Sequence, residues 1–247
     1  MEIDVIIYGI NPVREALRAG KARRVRIGAR GDKRIDDLLA LARERGVRVD
    51  RVDQQALDRD ARGGVHQGIV AELEAPRDYS VEELVAGAAP DVPLVVVLDG
   101  IEDPHNIGAV LRTVEAAGGH GVIRQARHAA PLDGVAMKAS AGAAALVRVA
   151  TVVNIARAIE ELKGAGVWTV GLAGDAADRY HDVDLTLPTA IVLGAEGTGL
   201  RRLVRERCDR VVSIPMRGAV SSLNVSVAAG VTVFEAIRQR QMAKNAR

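Results

Sequence analysis

The chain has 247 residues, a formal net charge of +2, five aromatic residues and one cysteine. That length suits one large domain or two small ones, and with 48% apolar residues and so few rings the core must be aliphatic. Cys208 alone excludes an internal disulfide and any multi-cysteine metal site, and five scattered rings exclude a base-stacking sheet of the RRM type.

The opening Met1-Glu2-Ile3-Asp4 lacks the basic n-region of a signal peptide, and no apolar run approaches the ~18 residues of a membrane span. The expectation is a cytoplasmic protein with no membrane contact. The small net charge hides local excesses. Residues 14 to 34 hold nine basic residues (Arg14, Arg18, Lys21, Arg23, Arg24, Arg26, Arg30, Lys33, Arg34) against Glu15 and Asp32, an excess of +7. Arg201, Arg202, Arg205, Arg207 and Arg210 form a second cluster, and Arg238, Arg240, Lys244 and Arg247 a third. Each is either a solvated face or a phosphate-binding surface.

In chain order, Asn11-Pro12 predicts a helix over Val13 to Ala19 with proline at its first position. A strand is expected at Arg23 to Ala29, a helix at Ile35 to Arg45 stopped by Gly46, and strands at Val47 to Val52 and Gln67 to Leu73. Residues 1–73 therefore form a small α/β domain. Residues 74–93, with Pro76, Pro90 and Pro93, read as a linker carrying one short helix at Val81 to Ala86. Residues 94–247 form a second domain. Its first strand, Leu94 to Leu98, is continuously apolar, as a parallel strand covered on both faces must be. Helix Asn106 to Ala117, strand Gly121 to Ile123, helix Asn154 to Lys163 and strand Val167 to Leu172 follow. Strand Ala190 to Leu193, helix Leu200 to Glu206, strand Val211 to Ile214 and a helix from Ser222 to Gln241 complete the pattern. Alternating β and α gives an α/β fold with a parallel sheet flanked by helices.

Three loops follow apolar strands of the second domain, where open α/β sheets bind ligands. They are Asp99-Gly100-Ile101-Glu102-Asp103-Pro104-His105-Asn106-Ile107-Gly108, Gly194-Ala195-Glu196-Gly197-Thr198-Gly199-Leu200, and Ile214-Pro215-Met216-Arg217-Gly218 with Ser221-Ser222-Leu223-Asn224. A P-loop is absent, and the second loop spaces its glycines as GxxGxG, unlike a dinucleotide fingerprint. The histidines at 66, 105, 120, 128 and 181 show no metal-ligand spacing, so no metal is expected.

Taken together, N-I-G-x-x-x-R, L-G-A-E-G-x-G-L and I-P-M-x-G-x-V-S-S-L-N-V-S resemble the SpoU/TrmH family of the SPOUT superfamily, over residues 94 to 240. Ile7-Tyr8-Gly9-Ile10-Asn11-Pro12-Val13 and Val65-His66-Gln67-Gly68 extend the likeness to the RNA-binding domain of the RlmB-like branch. The resemblance implies an S-adenosylmethionine-dependent RNA ribose 2′-O-methyltransferase, most closely one that modifies a guanosine of 23S rRNA. It also implies a C-terminal trefoil knot and a homodimer. A tRNA ribose methyltransferase and a non-catalytic RNA-binding or ribosome-assembly homologue are the alternatives.

The resemblance assigns cofactor contacts to Gly194, Ile214 and Leu223, with Leu193 and Met216 as neighbours. Plain core packing is the competing role for Ile214 and Leu223. Arg112 matches the family's principal catalytic residue; otherwise it is a surface partner of Glu115 on the same helix. Asn106, an N-cap candidate, faces the site, and Glu196 stabilises its loop. Ser222 and Asn224 match residues that orient the substrate phosphate and the loop, with helix capping as the simpler role. Two departures stand out. The family's V-P-K stretch reads Ile123-Arg124-Gln125-Ala126-Arg127-His128-Ala129, and a later glutamate is Ala145.

Overall fold

A computed structural model describes residues 5–28, 33–73, 77–127, 136, 139–140 and 142–246. Arg30, Asp32, Pro76, His128, Ala129 and Arg247, all named above, lie outside the described residues. The chain divides into two compact units, Met1–Pro76 with Pro131–Leu146, and Arg77–Ala130 with Val147–Arg247.

The first unit is built on a four-stranded sheet in the order β1-β4-β2-β3. Its strands are β1 (Val5–Tyr8), β2 (Ala22–Ile27), β3 (Arg48–Arg51) and β4 (Ile69–Leu73). β4 runs antiparallel to both neighbours, and β2 and β3 are parallel. Helices α1 (Ile10–Arg18), α2 (Lys33–Glu44) and α3 (Gln54–Asp60) accompany them. α2 buries Ile35, Leu38, Leu39 and Ala42, the stripe expected from their spacing.

α1 starts three residues before the predicted Val13, so Pro12 is its third residue rather than its first. The reason is tertiary. Gly9 sits at φ 97, and the first-turn amide of the buried Ile10 donates to Gln67 Oε1 at 3.0 Å, 57 residues away. Gln67 itself adopts φ 53. The neighbouring His66 is buried; its Nδ1 accepts from Gly68 N at 3.0 Å, so Nε2 carries the proton toward Asp58 Oδ1 at 3.1 Å. His66 and Gln67 thus tie the turn before β4 to α3 and to the start of α1.

The second unit contains a seven-stranded, wholly parallel sheet in the order β7-β6-β5-β10-β8-β11-β9. In chain order these strands are β5 (Leu94–Asp99), β6 (Gly121–Gln125), β7 (Val149–Val152), β8 (Trp168–Leu172), β9 (Asp178–Arg179), β10 (Thr189–Gly194) and β11 (Arg210–Ser213). All six residues of β5 are buried, as the apolar run required. Helices α4 (Val81–Ala86), α6 (Ile155–Gly164) and α7 (Arg202–Arg207) cover one face. There Val81, Leu84, Ile159, Leu162 and Val204 pack against Val95, Val97, Ile123, Ala150 and Val192. Truncating any of these leucines costs about 2–5 kcal/mol. Helix α5 (Pro104–Ala116) packs against α8 (Val225–Asn245), and α8 against β10.

Residues 77–93, read above as linker, hold α4 with a full Ser80–Glu83 capping box, and Asp78 bridges to Val149 of β7. The mixed α/β architecture matches the expectation; β1, α3, β7 and β9 are additions to it.

Candidate active site

The chain order doubles back at β5 and β10, which lie side by side with Asp99 opposite Gly194. Ligands bind beyond the carboxyl ends of strands at such a switch point. All three loops singled out from sequence gather at these ends.

Asn106 is not an N-cap. Asp103 caps α5, its Oδ1 accepting from His105 N at 2.9 Å, and Pro104 occupies the first turn. Asn106 is therefore inside the helix, buried, and free to use its side chain elsewhere. Its Nδ2 donates to Glu196 Oε1 at 3.1 Å, and its Oδ1 accepts from Asn224 Nδ2 at 2.9 Å. Asn224 Nδ2 also donates to Glu196 Oε1 at 2.7 Å. One residue from each loop thus joins a closed triangle. Asn224 serves two purposes, because its Oδ1 caps α8 by accepting from Ser226 N at 2.9 Å. That cap fixes the amide orientation, since the reversed group would set N–H against N–H.

The second loop is a tight turn. Gly199 N donates to Ala195 O at 2.8 Å, and Gly197 and Gly199 both take positive φ. A Cβ on Gly194 would fall inside the backbone of Gly199 and Leu200. The base of the turn is fixed by a pair that sequence reasoning missed. Asp99, with no exposed surface, accepts from Arg201 N at 2.9 Å and from Arg201 Nε at 2.6 Å, and also ion-pairs with Arg201 Nη2. Arg201 Nη2 donates further to Gln125 Oε1 at 2.8 Å. An aspartate ending a strand looks like an ordinary turn residue, and only an arginine 102 positions on reveals its function.

Among the expected cofactor contacts, Leu193 is buried, whereas Gly194, Ile214, Met216 and Leu223 are partly exposed. Among the described residues, 214 to 223 make no backbone-to-backbone hydrogen bond. This stretch offers apolar side chains beside open N–H and C=O groups.

Arg112 is exposed on α5 and makes no hydrogen bond or ion pair among the described residues, with Glu115 or any other group. Six residues at about 100° each turn it roughly a third of a turn from Asn106, so it stands apart from the triangle. Ser222 is exposed and likewise has no partner among the described residues.

Most arginines of the second and third basic clusters have partners within the chain. Arg202, Arg205, Arg207 and Arg210 pair with Glu206, Asp175, Glu160 and Asp178, and Arg201 with Asp99. Arg238 pairs with Glu235, and Arg240 donates to the carbonyls of Leu185, Val92, Pro93 and Leu187. The +7 stretch is also reduced, because Arg24 pairs with Asp50 and Arg26 with Asp60 and Glu72. Lys21 and Lys33 stay exposed and unpaired among the described residues. So do Arg112, Arg127 and Arg217 in the second unit. No group of three or more His, Cys, Asp or Glu is placed to hold a metal among the described residues, and none of their helices is long and apolar enough to cross a membrane.

The chain is similar to known proteins in both of its units. Residues 93–234 match the SpoU rRNA Methylase family. The chain belongs to that family. Residues 6–79 match the RNA 2′-O ribose methyltransferase substrate-binding domain that accompanies SpoU methylase here. A 23S rRNA (guanosine-2′-O-)-methyltransferase RlmB from Yersinia pestis is 44% identical over 95% of this chain and 97% of its own. Among solved structures, the SpoU methyltransferase AviRb from Streptomyces viridochromogenes in complex with AdoMet superposes with a TM-score of 0.78 and 28% identity, over 97% of this chain and 91% of that one. A TrmH/SpoU tRNA modifying enzyme from A. aeolicus covers 66% of this chain and 84% of its own, with 28% identity and a TM-score of 0.56. Within the SpoU family, then, this chain carries the methylase sheet together with a substrate-binding unit.

Proposed function

We propose that this protein transfers a methyl group from S-adenosylmethionine to the 2′-oxygen of a guanosine ribose in 23S rRNA. The observation that carries this reading is the Asn106–Glu196–Asn224 triangle, which locks three loops at the switch point of the sheet. The guanosine and 23S rRNA assignments rest on the name of the Yersinia pestis relative and its near-complete coverage.

The residues present fit the cofactor. Ile214, Met216 and Leu223 supply apolar surface for an adenine, and the unbonded backbone of 214–223 supplies donors and acceptors for its edge. Gly194 lets the second loop fold back on itself, with Gly199 and Leu200 where a side chain would stand. S-Adenosylmethionine, when bound, supplies an electrophilic methyl on a sulfonium centre.

The chain's own residues do the rest. The triangle keeps the two reactants aligned, which for a displacement at carbon is a large part of the barrier. Arg112, exposed and unpaired, holds the phosphate beside the target ribose and stabilises negative charge developing on the 2′-oxygen. A guanidinium pKa above ~12 makes this role easier than accepting a proton. Ser222, beside Asn224, turns its hydroxyl toward the same phosphate. Arg127 and Arg217, also exposed and unpaired, extend the RNA-binding surface, and Lys21 and Lys33 do so on the first unit.

The working form is a homodimer. α8 buries Val225, Ala229, Val233 and Ala236 yet leaves Val227, Phe234 and Met242 about half exposed, seven and eight residues apart on its other side. A second copy of the chain covers such a stripe. Threading of the segment after β11 as a trefoil knot, and residence in the cytoplasm with the rRNA, belong to the same reading.

Methyl transfer from labelled S-adenosylmethionine to 23S rRNA and tRNA transcripts tests it. Incorporation into a 23S guanosine is expected. Labelling of tRNA alone, or of nothing, overturns the assignment.

A further inference from the structure

One cleft in the second unit has no role in the account above. It encloses about 470 Å³ between residues 99–103 and 195–201 and includes Gln125, a volume within the range of small-ligand pockets. It shares Asn106 and Glu196 with the triangle, while Leu193, Gly194, Ile214, Met216 and Leu223 are not among its lining residues. The cleft therefore adjoins the triangle, and its lining Asp99 lies opposite Gly194 across the sheet.

Its chemistry is unusual for an RNA enzyme. Four carboxylates line it, Asp99, Glu102, Asp103 and Glu196, against one guanidinium, Arg201. Asp99 is taken up by Arg201 and Asp103 Oδ1 by the α5 cap, so the acceptor turned to a ligand is Glu196 Oε2, which takes no part in the triangle, in a wall whose negative charge repels phosphate. Arg201 is rigid on one edge, where Nε and Nη2 are held by the fully buried Asp99 and by Gln125. Its side chain is nonetheless 52% exposed, and Nη1 has no partner among the described residues. A pre-oriented donor thus shares the cleft with a free acceptor.

We propose that this cleft receives the guanine base of the target nucleotide, with Arg201 Nη1 donating to its O6/N7 edge and Glu196 Oε2 accepting from N1–H and N2–H₂. Guanine offers the acceptors N7 and O6, one of which the single remaining nitrogen of Arg201 can meet, and its Watson–Crick edge offers two adjacent donors. Enzymes that do chemistry on a base read it in such an extruded form, and a pocket beside a reacting ribose can hold its base in the same way. The proposal rests on the methyltransferase reading and adds a source of base specificity to it.

The test uses the full-length enzyme and synthetic RNAs in which the methylated guanosine is replaced by 7-deazaguanosine, lacking N7, or by inosine, lacking the N2 amine. With wild-type protein, kcat/KM falls about tenfold or more for each replacement. With Arg201→Lys the rate on guanosine drops, the 7-deazaguanosine penalty shrinks to about onefold, and the inosine penalty persists. A merely structural role for Arg201 lowers all rates together and leaves both ratios intact, which overturns the assignment. Equal rates on all three RNAs with wild-type enzyme overturn the pocket while leaving the methyltransferase reading standing. A raised dissociation constant for S-adenosylmethionine in Arg201→Lys, with the base ratios unchanged, places the cofactor's methionine end in the cleft and also overturns it. Absence of transfer to the guanosine RNA removes both readings.

Discussion

The amide nitrogen of Asn224 lies 2.7 Å from Glu196 Oε1 while the oxygen of the same amide caps α8. A single side chain therefore couples the start of the C-terminal helix to the glycine-rich loop after β10. The two halves of the amide can be separated by substitution. Asn224→Ser keeps a capping oxygen and loses the donor, so stability changes by less than about 1 kcal/mol. Methyl transfer falls by roughly a hundredfold, the scale expected when reacting groups shift by about 1 Å. Asn224→Asp also keeps the cap but sets a carboxylate against Glu196, and it loses more activity than serine. Thermal denaturation and single-turnover rates on the same preparations check both statements. Equal activity for the serine and wild-type proteins would remove the triangle from the mechanism.

Arg112→Lys fails to restore activity. Arg112 has no partner to lose among the described residues, so stability stays within about 0.5 kcal/mol of wild type. Lysine keeps the charge but not the planar two-pronged donor. A near wild-type rate with lysine excludes a bidentate phosphate contact.

Gly194→Ala places a methyl inside the backbone of Gly199 and Leu200. The loop must open, so affinity for S-adenosylmethionine drops at least tenfold by calorimetry. Gly164→Ala is the control, because nothing lies within 4 Å of its added methyl, and it leaves affinity unchanged.

Asp209 contributes to the acid sensitivity of the second unit, beside Asp175, Asp184 and Glu235, whose carboxyls are also held below their ordinary values. Burial raises its pKa, but hydrogen bonds from Thr169 N at 2.9 Å and Thr169 Oγ1 at 2.7 Å, with Lys163 Nζ at 3.0 Å, outweigh burial and hold it below the ordinary aspartate value. A carboxyl with a depressed folded-state pKa contributes stability that is complete above the unfolded value near ~3.9 and is lost as pH falls through the folded value. Asp209→Asn therefore costs about 1–2 kcal/mol at pH 7 and flattens the loss below pH ~4. Urea titrations from pH 7 to 2.5 measure this. An unchanged pH slope in the variant contradicts it.

Much of this architecture was legible in local patterns. The run Leu94 to Leu98 announced a doubly covered parallel strand, and the short helix expected at Val81 to Ala86 is α4. The boundary of α1 was not, because the acceptor that meets Ile10 N belongs to Gln67. β9 has two residues and β7 four, too few to show a period. Charge was misleading for a related reason. A window along the chain counts Arg24 and Arg26 as an excess, while the sheet sets Asp50 and Glu72 beside them on neighbouring strands. The motif residues Asn106, Glu196 and Asn224 were each visible. Their closure into a triangle, and the buried Asp99 that pins Arg201, depend on contacts across roughly a hundred residues.

The most direct measurement is a mass-spectrometric map of 2′-O-methylated nucleotides in rRNA from cells with and without this gene. One guanosine of 23S rRNA should lose its methyl group in the deletion, regain it with the wild-type gene, and stay unmodified with Arg112→Lys. An identical 23S map in both strains contradicts the account.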